Sequence, residues 1–167
     1  MGGCQDGQTS INLPGLPGRR RKAFPTLHPI KSDDNYCLAR SISVGIEWHR
    51  QYREGIKKRQ KILQQDKENA AVELLAAAGC SLQKQRYGFA DAKRIVDYLN
   101  RQYGKNKYRV VVLGASKMYR VLWKSHPKPE CTDIVLILYS QHYWFIGEPR
   151  RLFQVSVLTL KHILFQK

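Results

Sequence analysis

The chain has 167 residues, the size of one ordinary domain, enough to bury a single core but hardly two. Its 29 Lys and Arg against 13 Asp and Glu give a formal charge of +16, which draws it toward polyanions and makes nucleic acid a default partner, although a merely solvated basic surface fits the same count. Cys4, Cys37, Cys80 and Cys131 stand far apart with no C-x-x-C pair, a spacing that suggests neither a zinc site nor a disulfide framework, so no metal or cofactor is expected.

Residues 1–31 are rich in Gly, Pro, Gln and Ser, with too few large apolar side chains to offset the entropy of ordering, and are expected to form a disordered basic arm. The arm lacks the layout of a signal peptide, and no later apolar run approaches the roughly 18 residues that span a bilayer. The expectation is a reducing cytoplasmic or nuclear compartment and no membrane. Within the arm, Arg19, Arg20, Arg21 and Lys22 are a candidate phosphate clamp or nuclear address, or else a solvated linker.

The folded domain is expected over residues 32–153. Ser32, Asp33, Asp34 and Asn35 supply cap-type side chains ahead of a helix in which Leu38, Ile42 and Ile46 recur every fourth residue, on one core-facing stripe. Cys37 falls in its first turn. Residues 53–65, with Lys57, Lys58 and Arg59, read as an exposed helix or connector and a second candidate nucleic-acid contact. An Ala- and Leu-rich helix over 68–78 closes at Gly79, and an amphipathic helix over 90–103 turns Ile95, Val96, Tyr98 and Leu99 inward before Gly104.

The period then changes to short β-branched and aromatic runs at 108–113, 119–123, 134–139 and 143–146. Helices followed by strands predict an α+β fold, with an N-terminal helical layer on a mostly antiparallel sheet formed by the C-terminal half. The interleaved Tyr98, Arg101, Tyr103, Lys105, Lys107, Tyr108 and Arg109 suit stacking on unpaired bases, or the packing of a helix end on a sheet. Residues 154–167 carry no turn signals and are compatible with strand, helix or a frayed end.

A nucleophilic thiol needs a lowered pKa, a base and donors for an oxyanion. Cys37 at a helix start has the dipole and the orphan amides of the first turn. Of the five histidines, His142 opens a strand just after a buried-looking strand and a tight Ser140-Gln141 turn. His49 follows Cys37 by twelve positions on one helix, about 18 Å along the axis, and is excluded as its partner. His28, His126 and His162 lie in the arm, a Pro-flanked loop and the tail. A structural histidine and an inert core cysteine satisfy the same spacing.

The segment Asp34-Asn35-Tyr36-Cys37-Leu38-Ala39-Arg40-Ser41-Ile42 resembles the nucleophile motif of the OTU (ovarian tumour) cysteine proteases, Asp-Gly-x-Cys-Leu-x-Arg-Ser/Ala-Ile, and His142-Tyr143 is similar to that family's His-Tyr motif near the domain's end. The resemblance implies a papain-like OTU-type domain and a deubiquitinase-type hydrolase without cofactor. Cys37 would be the nucleophile, His142 the base, and the backbone of Asp34, Asn35 and Cys37 the oxyanion hole, with a ubiquitin-like protein or a polyprotein as substrate. Many members place Asp or Asn two residues after the histidine to orient it. This chain has Trp144 there, which leaves either Asp34 as the substitute or no orienting residue at all. The wording with Ala39 also resembles an OTU-like segment of Polinton/Maverick-type mobile-element proteins, next to DNA polymerase regions. That resemblance, with the basic charge, implies the alternative of a catalytically inactive, nucleic-acid-binding module of a replication protein.

Overall fold

In the computed structural model the described residues are 27–28, 30, 35–53, 64–105, 107–115, 119–127 and 131–149. They form an α+β fold: β1 (Leu27–His28), α1 (Cys37–Arg53), α2 (Gln64–Ala77), α3 (Phe89–Tyr103), β2 (Tyr108–Gly114), β3 (Arg120–Lys124), β4 (Thr132–Tyr139) and β5 (His142–Ile146). The sheet order is β1-β5-β4-β2-β3. β2 and β4 run parallel at its centre, and the β1–β5, β4–β5 and β2–β3 pairs are antiparallel.

The period-2 pattern splits the sheet into two faces. Val110, Val112, Ile134, Leu136, Tyr143 and Phe145 join Leu38, Ile42, Leu75, Ile95 and Leu99 in a core under the helices. Val111, Leu113, Val135, Ile137, Trp144 and Ile146 form a second cluster on the other face. β2 is buried at all seven positions, as a strand between two neighbours with both faces covered must be. The helices follow the sequence closely. Gly79 takes the left-handed backbone (φ 75°) and Cys80 N–H returns to Leu75 O at 2.9 Å, ending α2 where a glycine cap is expected. In α3, Ile95, Val96 and Leu99 are buried.

Two features depart from expectation. The folded unit starts ahead of Ser32: Leu27 pairs with Ile146, His28 pairs with Phe145, and Ile30 is 2% exposed in the core. A two-residue segment with one apolar side chain is too short to register as a strand, yet its backbone suffices to add one to an edge that β5 already offers. Arg109 and Tyr108, candidates for contacts to bases, are 0% and 2% exposed and so point into the protein. Arg109 instead grips Asp133, its parallel-register neighbour, with Nε and Nη2 donating to the two carboxylate oxygens at 2.7 and 2.8 Å. No helix among the described residues is long and apolar enough to cross a membrane.

α1 lies along β5 because Gly45 lets it approach. A Cβ there would stand 2.6 Å from Ile134 Cγ2 and 3.0 Å from the Phe145 ring. Gly45→Ala is therefore expected to destabilise the fold by about 1–3 kcal/mol despite alanine's better helix propensity, measured by urea unfolding. A neutral or stabilising result would mean that the contact yields.

Candidate active site

Cys37 opens α1. Tyr36 O accepts the first helical hydrogen bond, from Arg40 N–H at 2.8 Å, so the amides of the turn that Cys37 begins have no acceptor within the helix and stand at the positive end of its dipole. The approach to Cys37 is fixed by the loop between α2 and α3. Asn35 Nδ2 donates to Lys84 O at 3.2 Å, Tyr36 O–H donates to Leu82 O at 3.2 Å, and the Tyr36 ring lies 6.0 Å from that of Tyr87. The loop in turn is tied to α3, whose buried Asp91 accepts from Gly88 N–H at 3.0 Å and from Lys84 Nζ at 2.8 Å.

His142 opens β5. The turn before it places both Ser140 (φ 48°) and Gln141 (φ 64°) in the left-handed region, the signature of a two-residue type I′ hairpin closed by the Tyr139–His142 pair. Neither residue is glycine, so each costs about 1–2 kcal/mol, and strain of this kind gathers where a neighbouring side chain must be aimed.

Ser41 joins the two openings. Its buried hydroxyl donates to Cys37 O at 2.7 Å and stands 3.2 Å from Tyr143 O, so the first turn of α1 and the start of β5 are side by side although 102 residues separate Ser41 from Tyr143. The structure thus brings the backbones carrying Cys37 and His142 to one end of the sheet but turns their side chains to opposite faces, Cys37 into the core under the helices and the His142 ring beside Trp144 on the other face.

The imidazole of His142 is fully buried and lies edge-on to Trp144, ring centroids 4.3 Å apart. Burial pulls its pKa down from 6.5 to about 4, against a hydrogen bond to the Ile30 backbone that favours the protonated ring. That bond meets a need left open by the sequence. Trp144 offers only an indole N–H and cannot accept a ring proton, whereas the Ile30 carbonyl can orient the ring from the segment that follows β1. The neighbouring Tyr143 phenol is pushed up to about 12, first by burial and then by the Asp91 charge.

Cys37 is 2% exposed, and its sulfur is disulfide-bonded. This departs from the reading of the cysteine spacing, which a distant pairing cannot betray. A disulfide sulfur is not a nucleophilic thiolate, so any thiol chemistry here starts from the reduced protein.

The remaining candidates divide cleanly. Asp34, Arg19, Arg20, Arg21, Lys22, Lys57, Lys58 and Arg59 lie outside the described residues. His49 is engaged at the far end of α1, Nε2–H donating to Asp133 O at 2.9 Å. His126, expected in a Pro-flanked loop, meets Cys131 at 3.9 Å, but His126 Nε2 is also 3.1 Å from Tyr108 O and donates there. Among the described residues no group of three or more His, Cys, Asp or Glu is placed to hold a metal ion. Ser41 was visible in the motif but not singled out, and Ile30 had only its isolated hydrophobicity to mark it.

Because His142 is buried neutral, the unfolded chain binds a proton that the folded one refuses between pH 6.5 and about 4. Stability should therefore be complete above pH 6.5 and fall as the pH drops toward 4, by up to about 3 kcal/mol from this group. Urea unfolding at pH 4.5 and 7.5 should show a steeper loss for the wild type than for His142→Phe; equal slopes would place the ring in water. Asn and Gly substituted together at 140 and 141 should stabilise the hairpin by about 1–2 kcal/mol in the same assay. Comparisons with family models, with curated proteins and with solved structures find no match to this chain.

Proposed function

We propose that the chain is a cysteine peptidase of the OTU type, hydrolysing peptide or isopeptide bonds with reduced Cys37 as nucleophile and His142 as general base. The observation that carries this reading is the Ser41 bridge, which sets the helix start bearing the cysteine against the strand start bearing the histidine. In this reading the ring leaves its place beside Trp144 on the face away from the helices, turns toward α1 and takes the thiol proton on one nitrogen. The thiolate adds to the substrate carbonyl, and the developing oxyanion is received by the first-turn amides of α1. The proton then passes to the leaving amine, and water hydrolyses the thioester. Substrate access requires opening of the disulfide and of the cover over both side chains. The OTU resemblance makes a ubiquitin-like protein or a polyprotein the substrate class.

A second reading has its own support. Cys37 and His142 are 2% and 0% exposed, the sulfur is in a disulfide, and the ring packs on Trp144 where OTU enzymes commonly carry an acceptor. These features suit a scaffold that has given up hydrolysis and works by binding, with its +16 charge directed at nucleic acid.

A ubiquitin-derived electrophilic probe, applied after reduction, separates the two. Hydrolase chemistry predicts covalent labelling of the wild type, its complete loss in Cys37→Ala, and a loss of at least tenfold in His142→Gln. Iodoacetamide provides the internal reference, because burial and the Asp91 charge raise the Cys80 thiol pKa and keep it slow. Alkylation of Cys37 no faster than Cys80, together with no probe adduct, would overturn the peptidase reading.

A further inference from the structure

A groove of about 810 Å³ runs along β3 and the turn after it, lined by Arg120, Leu122, Trp123, Lys124, His126 and Pro127 among others. It lies at the opposite edge of the sheet from β1 and β5, and so away from the Cys37 and His142 end. Three observations describe what it can hold. Its described lining contains Arg, Lys and His but no carboxylate, in a chain of +16. It contains an indole held rigid: Trp123 stacks on Phe89 with centroids 5.4 Å apart and planes 2° from parallel. Beside it stands a large apolar side chain left in water, Leu122, 40% exposed.

We infer that this groove binds single-stranded nucleic acid, with phosphates at Arg120 and Lys124 and a base against Trp123 and Leu122. An anionic ligand follows from the charge of the lining, and a flat apolar one from the fixed indole. A nucleic acid strand combines both at the scale of a few residues. An extended acidic peptide added to the sheet edge is the competing occupant, and the strand itself disfavours it. The β2–β3 register slips between Val112 and Leu113, leaving Leu122 as an extra residue on β3, and a bulge of this kind breaks the even outer ladder that strand addition needs. A duplex presents its bases already stacked and offers the indole nothing.

The test is fluorescence anisotropy with a labelled oligo-dT, a duplex of equal length and a polyglutamate competitor, over a range of salt. Single strands should bind at least tenfold more tightly than duplex. Arg120→Gln with Lys124→Gln should weaken binding at least tenfold and reduce the salt slope by about 1 to 1.5, and Trp123→Leu should weaken it about tenfold. A pair of exposed charges on α3, changed as Lys93→Gln with Arg94→Gln, should stay within twofold of wild type. Photo-crosslinking of a 4-thiouridine strand to the unmodified protein, mapped by mass spectrometry, should reach the peptide containing Trp123 and does not depend on any variant folding. Equal losses for the α3 and β3 pairs, effective competition by polyglutamate, tighter duplex binding, or crosslinks confined to other segments would each overturn the proposal.

Discussion

The close contact between α1 and β5 is the constraint on which the rest depends. Gly45 lets the helix backbone sink onto Ile134 and Phe145, Trp48 covers Gly147 so closely that a Cβ there would stand 2.7 Å from the indole, and Ser41 fixes the register between helix and strand. Three contacts spaced along one helix leave α1 neither sliding nor rotating freedom. The position of its first residue is then decided by packing several residues further on. This is how the backbones of Cys37 and His142, far apart in sequence, come to one end of a sheet, with the sulfur under the helices and the imidazole on the other face.

The fold was legible because its signals are local and periodic. The stripe of Leu38 and Ile42, the inward set of Ile95, Val96 and Leu99, and the β-branched runs of β2 and β4 are each decided within a dozen residues, and each appears in its element. The misses are all relations across distance. Arg109 reads as one more cation among many, and only the parallel register of β2 and β4 reveals that Asp133 waits beside it. Ile30 reads as an apolar accident in a tail, and only the free edge of β5 turns it into core. The disulfide at Cys37 belongs to the same class, since spacing along a chain says little about a pairing that the fold decides.

The site was legible in its parts but not in its state. Cys37 lies at a helix start and His142 follows a tight turn, as their sequence settings predict, and Trp144 packs in the cluster on the other face of the sheet. What no motif encodes is solvation. Burial lowers the pKa of a histidine and removes a sulfur from its substrates, and both effects come from neighbours supplied by distant segments. The hydrogen bond between His142 and the Ile30 backbone illustrates the same point from the favourable side, because backbone groups leave no mark in a sequence.

Arg109 and Asp133 raise the question of why a charge pair is kept inside a sheet. An apolar pair of similar volume would avoid the desolvation cost of both ions, which often equals or exceeds their attraction. The pair does contribute specificity of register, because a one-residue slip of β2 against β4 would set the buried guanidinium opposite Thr132 or Ile134, neither of which can neutralise it, a penalty of several kcal/mol that no hydrophobic pair would impose. Parallel register matters here more than elsewhere in the sheet. The β2–β4 ladder fixes where β4 ends, the end of β4 fixes the strained Ser140-Gln141 turn, and the turn delivers His142 to the opening of α1. A half-buried ion pair at one end of the central strands thus favours the register on which the position of the His142 backbone at the other end depends.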